Sequence, residues 1–327
     1  MTEKGITIMK KKAPERAAKK RIASLGNHKF TCRGRSYHLG ETAASYVLLT
    51  PTIVTLLIFF VLPLLMLIVL SFSDYRMTTG TMKFNGVDNF LYLFHSDKFW
   101  KSLGNTAIFA VVKLTLDVAV SLAVALALDS NVYFRKLLRT VFFSPVVVPV
   151  VACSLIWLWF YDPGIGPLNQ ILGWFGISPL KWLYSEKTAM LSIILFSVWH
   201  GLGYNVILLL SGLQGVSGEY LEAAKLDGAS EGAVIRYIKL PLLKPILNFV
   251  VMMGIINAFK AFSEVNVMTP DGGPGYSTAM IVNFIHEQAF TNGRMGRGAA
   301  ASILLFLIIF LLTALKNRLG SRKEIDV

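Results

Sequence analysis

The chain alternates long apolar runs with shorter polar ones, and the apolar runs have the length of membrane crossings. A bilayer core about 30 Å thick takes roughly 20 apolar residues in a helix. Residues 46–70, 106–128, 141–161, 189–213, 247–262 and 299–315 approach or exceed that length. They predict six transmembrane helices and an all-α, polytopic membrane fold. The fifth run is the weakest, because Asn248, Asn257 and Lys260 interrupt it. It either starts as early as Leu240 or is tilted and shielded by its neighbours.

One polar island breaks the rhythm. Between the fourth and fifth runs, residues 219–245 read EYLEAAKLDGASEGAVIRYIKLPLLKP. Its first ten residues are rich in helix formers, and Gly228 can end that helix. Ser230 then fits an N-cap, with Glu231 favourable in the following turn. Ala233, Val234, Tyr237 and Ile238 repeat at helical spacing and give the second helix an apolar face. Pro241 and Pro245 argue against a long rigid helix through this point. The island therefore reads as a helix–turn–helix lying beside the membrane. Its four acids (Glu219, Glu222, Asp227, Glu231) balance its four bases (Lys225, Arg236, Lys239, Lys244). An anchor resting on lipid headgroups is usually more basic, so docking onto another protein is favoured.

Composition agrees with the pattern. The 327 residues are 54% hydrophobic and 16% charged, against about 25% charged in soluble domains. The net charge of +13 is concentrated at the N-terminus, where residues 1–40 hold eleven bases and two acids. No aromatic platform accompanies them, which speaks against nucleic acid. They read instead as a basic cytoplasmic tail, followed by a membrane domain over 41–327. Arg135, Lys136 and Arg139 after the second run, and Lys316, Arg318, Arg322 and Lys323 at the C-terminus, extend the bias. By the positive-inside rule both termini and the 129–140 link face the cytoplasm. Alternation puts 71–105, 162–188 and 263–298 outside and the island inside. The N-terminus does not match a cleaved signal peptide, since its basic and apolar stretches are both too long. Cys32 and Cys153 fall in different environments, which predicts no disulfide.

Catalytic chemistry is thin. The five histidines are scattered, with no ligand pair at helical spacing, so no metal site is expected. His200, within the fourth run, reads as a packing or pore-facing residue. No Gly-Lys pair occurs anywhere, which excludes a Walker A loop. LSGLQ at 210–214 has no such partner, and the GGPG turn at 272–275 falls on the outer face. The chain reads as a non-enzyme that binds no cofactor itself.

Polar residues inside the spans mark a candidate solute path. Lys113 and Asp117 lie four apart on one helix face and can pair, structurally or as part of the path. Lys260 and Glu264 repeat that spacing at the outer end of span five, where snorkelling is the simpler role. Trp199, Tyr204 and Asn205 on span four and Asn257 on span five form the richest set of aromatic and amide groups near the midplane. Trp157 and Trp159 match ordinary interfacial tryptophans.

The island also carries a family resemblance. Glu222-Ala223-Ala224, three residues, Gly228, nine residues and Ile238-Lys239-Leu240-Pro241 resemble the EAA motif of permease subunits in ATP-binding-cassette (ABC) importers. Residues 85–106, 144–172 and 198–214 are similar to the oligosaccharide-uptake branch, the maltose- and glycerol-phosphate-type permeases. MTPDGGPGYST at 268–278 is similar to that branch's outer Thr-Gly-Gly-Gly-Pro loop, with Pro270-Asp271 as a departure. The resemblance covers about residues 41–315 and implies a type I importer permease in a bacterial inner membrane. It implies a second, homologous permease subunit, two ATPase subunits carrying ATP and magnesium, and an extracytoplasmic solute-binding protein delivering a sugar or oligosaccharide. It further implies that Glu222 makes the electrostatic contact with the ATPase. Ala223, Ala224 and Gly228 would permit a close fit, Asp227 belongs to the same coupling loop, and Ile238, Leu240 and Pro241 would fix the exit toward span five. The alternative is an ion-coupled carrier using Lys113 and Asp117. Such carriers often show an internal repeat, and none is evident. A membrane scaffold without transport is a third reading, against which the polar groups in spans four and five speak.

Overall fold

The computed structural model describes residues 29–32, 35–130 and 133–321. By contact the chain divides into two units, Met1–Met66 and Leu67–Val327. Most of the basic tail, and the side chain of Cys32, lie outside the description.

In the first unit β1 (Lys29–Cys32) pairs antiparallel with β2 (Arg35–His38), Lys29 opposite His38. α1 (Leu39–Leu56) follows and runs into a π-helical turn, Leu57–Val61. Leu48, Phe59 and Phe60 are exposed along it, as suits a surface that meets hydrocarbon rather than water.

The second unit opens with the end of α2 (Leu62–Ser71) and a hairpin of β3 (Ser73–Tyr75) and β4 (Met82–Phe84). The two hairpins are the departures from an all-helical chain among the described residues. α3 (Asp88–Phe94) leads to α4 (Asp97–Asp129), 33 residues long. α4 starts nine residues before the apolar run because Ser96 caps it, its hydroxyl accepting from Phe99 N at 3.4 Å.

The third apolar run is not one straight crossing. α5 (Arg135–Val147) and α6 (Val150–Phe160) meet at 102°. Val148 is extended ahead of Pro149, the conformation that a following proline favours. After α7 (Pro167–Trp174), α8 (Ala189–Gln214) carries the fourth apolar run and packs along α4 and α5. Gly203 allows that approach: a Cβ there would strike the Phe142 carbonyl oxygen and come within 2.8 Å of Phe143 Cα.

The island then forms α9 (Gly218–Leu226) and α10 (Glu231–Val234). The expectation of a helix broken near Pro241 fails. α10 continues through a π turn, Ile235–Lys239, into α11 (Leu240–Phe259), and Glu231–Phe259 is one apolar crossing of 29 residues. A π turn widens the helix where Pro241, lacking an amide hydrogen, would otherwise crowd the preceding turn. The same widening disrupts the expected apolar face. Val234 is buried, whereas Tyr237 is 71% exposed with Arg236 over its ring.

α12 (Ser263–Met268), α13 (Ile281–His286) and α14 (Met295–Ser321) complete the chain. Because α11 ends at Phe259, Lys260 and Glu264 fall in different elements and share no helix face. Five described helices are long and apolar enough to cross a bilayer, or six spans if the bent pair counts as one. Two apolar cores hold the unit together. One gathers Phe99, Phe109, Tyr161, Phe196 and Phe284; the other gathers Leu128, Val206, Leu209, Leu243 and Val250.

Candidate functional site

Between those two cores the helices leave a polar cavity of about 170 Å³. α4 contributes Lys113 and Asp117, α8 contributes His200, Tyr204 and Asn205, and α11 contributes Asn257. Gly201 leaves space beside Lys113, whereas Gly254 lines the cavity and admits Leu114 of α4, which an added Cβ would strike. Five of the six residues singled out in the sequence therefore meet at one place. The sixth, Trp199, does not line it. Its ring packs in an aromatic group with Trp157, at 5.1 Å between centroids, and Phe196.

Lys113 Nζ donates to Asp117 Oδ2 as an i, i+4 pair, with side chains only 14% and 4% exposed. The other carboxylate oxygen, Asp117 Oδ1, is buried without a hydrogen-bond partner. Buried acceptors are normally satisfied, so this oxygen leaves acceptor capacity unused beside the cavity. Tyr204 adds a hydroxyl and an aromatic face, and Asn205 and Asn257 add amides that both donate and accept. The set suits a hydroxyl-rich solute better than an apolar one.

His200, which reads from the sequence as a packing or pore-facing residue, does both: it shares the α8 face of Tyr204 through its i, i+4 spacing and lines the cavity. Its Nε2 donates to the Val148 carbonyl at 3.1 Å, and its ring stacks on Phe196 at 5.9 Å. The histidine thus satisfies a backbone oxygen freed by the α5–α6 break while facing the cavity.

At one end of the bundle stands the island. Ser217 caps α9 by accepting from Glu219 N at 3.3 Å, and Ser230 caps α10 by accepting from Ala233 N at 3.3 Å. Gly228 makes the turn between them at φ +78°, a conformation costly for other residues. Glu222, Ala223, Asp227 and Gly228 are exposed, and Ala224 is half-buried. Ile238 and Leu240 are half-buried around the π turn, and Pro241 is exposed. Large apolar side chains stand out on the same segment, Leu226 at 89% exposure and Tyr220 at 60%.

A second pocket, of about 400 Å³, lies beside the glycine-rich loop. Asp271, Gly272, Gly273, Gly275 and Tyr276 all take positive φ there. α4 holds the loop in place: Lys101 Nζ donates to Gly275 O at 2.6 Å, and Asn105 Nδ2 donates to Tyr276 O at 3.0 Å and Ala279 O at 3.1 Å. Tyr276 donates its hydroxyl to Glu287 Oε2 at 3.0 Å, and Glu287 Oε1 accepts from Lys98 at 2.7 Å. Burial, reinforced by the Glu287 carboxylate, pushes the Tyr276 phenol up from its ordinary value. Sequence reading missed Lys98, Asn105 and Glu287, which lie far from the loop or in no motif. Among the described residues no group of histidine, cysteine or carboxylate side chains is arranged to hold a metal ion.

Comparison with known proteins agrees with this architecture. Residues 119–325 match the family described as binding-protein-dependent transport system inner membrane component. The arabinooligosaccharides transport system permease protein AraP of Bacillus subtilis is 30% identical over 88% of this chain and 91% of its own length. The trehalose/maltose transport system permease protein MalF of Thermococcus litoralis is 31% identical over 86% of this chain and 94% of its own. A solved bacterial ABC transporter involved in the import of the acidic polysaccharide alginate has a chain of the same fold, with a TM-score of 0.77 at 23% identity over 86% of this chain and 96% of that one. The chain belongs to the binding-protein-dependent transport system inner membrane components, and it is a multi-pass ABC permease.

Proposed function

We propose that this permease forms part of the pore of an importer for a sugar or oligosaccharide. A solute-binding protein delivers the cargo, and ATP hydrolysis on separate subunits drives its passage. The cavity carries the reading: a hydroxyl, two amides, an aromatic face and a carboxylate oxygen without a partner converge between apolar cores. Saccharides are recognised by such groups, with amides and carboxylates against hydroxyls and rings against C–H faces. The named relatives that transport arabinooligosaccharides and trehalose or maltose favour the same cargo class.

In this reading the island faces the cytoplasm. The positive-inside bias supports that side, since Arg135, Arg139 and Lys239 cluster at the same end of the bundle as the island. Glu222 meets a basic group on an ATPase, and Ala223, Ala224, Asp227 and Gly228 keep the contact close. Ile238, Leu240 and Pro241 carry the displacement into α11 and Asn257. ATP and magnesium stay on the ATPase partners, and a second, homologous permease subunit completes the pore.

A saccharide-uptake screen in proteoliposomes, with the partner subunits and internal ATP, tests the proposal. ATP-dependent entry of at least one glycan is expected; failure of every glycan would contradict it. A second reading, an ion-coupled carrier, draws on the buried Lys113–Asp117 pair. Uptake that collapses with an uncoupler but survives ATP depletion would favour it.

A further inference from the structure

α4 ends at Asp129, and the island holds that carboxylate. Lys239 Nζ donates to Asp129 Oδ2 at 2.5 Å across 110 positions of sequence, with side chains 17% and 13% exposed. Arg135 Nη2 stands 3.9 Å from Oδ1 of the same carboxylate. Elsewhere the island and the end of α4 are separated by a cleft of about 320 Å³, into which Lys225 and Glu231 also face. Shielded from bulk water, such a pair resists separation more than an exposed one.

Its placement gives the pair a mechanical consequence. Lys239 is the last residue of the π turn, where α10 passes into α11. Turns of this type often mark functional sites. α4 runs without a break from Asp129 back to Asp117, twelve residues or about 18 Å away at the α-helical rise. A displacement at Asp129 therefore reaches the Lys113–Asp117 wall of the cavity along a rigid rod. α11 is continuous with the island and carries Asn257 on the opposite wall. α4 and α11 also meet in the second apolar core, through Leu128, Leu243 and Val250, and the ion pair ties them at the island itself, where the displacement enters.

We propose that the Asp129–Lys239 ion pair is a positioning link that couples displacement of the island to α4, so that the two walls of the cavity shift as one. The inference rests on the importer reading above.

The test uses the complete complex in nanodiscs, with Cys32 and Cys153 replaced by serine and Val146→Cys, which lines the cavity, as a reporter. Labelling by a membrane-impermeant maleimide is compared before and after trapping with ATP and vanadate. In the parent, trapping is expected to change the labelling rate at least fivefold. In Asp129→Asn and Lys239→Met, ATP hydrolysis and vanadate trapping persist but the labelling change falls below twofold. The exchanged pair, Asp129→Lys with Lys239→Asp, restores it. Single variants that respond like the parent would overturn the link. Loss in the singles without recovery in the exchanged pair would overturn it too, since the defect would then come from local structure. A parent whose cavity ignores ATP would instead overturn the importer reading, a failure that this control separates from that of the link.

Discussion

His200 Nε2 donates to the carbonyl oxygen of Val148 at 3.1 Å, joining α8 to the break between α5 and α6. Pro149 cannot donate a helical hydrogen bond, and the bend at this point leaves backbone oxygens in need of donors. His200→Ala is expected to cost about 1 kcal/mol, the net value of one such bond. His200→Gln, which keeps a donor at similar reach, is expected to recover most of it. Thermal unfolding of the purified permease measures both, and equal losses would refute the role of the bond.

The Lys113–Asp117 pair leads to a different ordering of variants. Removing one partner of a buried pair leaves an uncompensated charge, at a cost of roughly 3–5 kcal/mol. Lys113→Met alone is therefore expected to destabilise the protein more than Lys113→Met combined with Asp117→Leu. Denaturation midpoints of the three proteins check this, and a double variant worse than the single would contradict it.

Two neighbouring glycines separate folding from transport. Gly203→Ala drives a methyl into the α5 backbone, which cannot rotate away, so a loss of about 3 kcal/mol is expected. At Gly201 the nearest atom to an added Cβ is Lys113 Nζ, 3.9 Å away on a flexible side chain. Gly201→Ala is expected to fold normally while narrowing the cavity and raising KM several-fold. Folding yield and uptake kinetics distinguish the pair; normal folding of Gly203→Ala would contradict the packing account.

Much of the cavity was legible in the sequence because ionisable and amide groups inside apolar runs stand out. Lys113, Asp117, Tyr204, Asn205 and Asn257 were all visible on that ground. Trp199, adjacent in sequence, does not line that cavity. At about 100° per residue it is turned some 140° from Tyr204, whereas His200 shares the tyrosine's face. The caps at Ser230 and the turn at Gly228 were readable, since each depends on local chemistry. The π turn ahead of Pro241 was not, because continuity of that helix depends on its surroundings. Nor was the Asp129–Lys239 contact, whose partners are far apart in sequence. The α5–α6 break had a signal in Pro145 and Pro149, which the length of the apolar run obscured.

At the island, charge reversal is the informative change. Glu222 is exposed and makes no ion pair or side-chain hydrogen bond among the described residues, so Glu222→Arg is expected to insert and fold like the parent. Uptake is expected to fall at least tenfold, with loss of ATPase co-purification. Normal uptake by this variant would contradict the docking role.

The most direct measurement loads proteoliposomes containing the whole complex with ATP, adds the solute-binding protein with a panel of labelled oligosaccharides outside, and follows entry. Entry of a glycan that stops when ATP is withdrawn, persists with an uncoupler and weakens when Asn257→Leu blocks the cavity is the expected result. Entry that ignores ATP but collapses with the uncoupler, or that is indifferent to Asn257, would contradict the account.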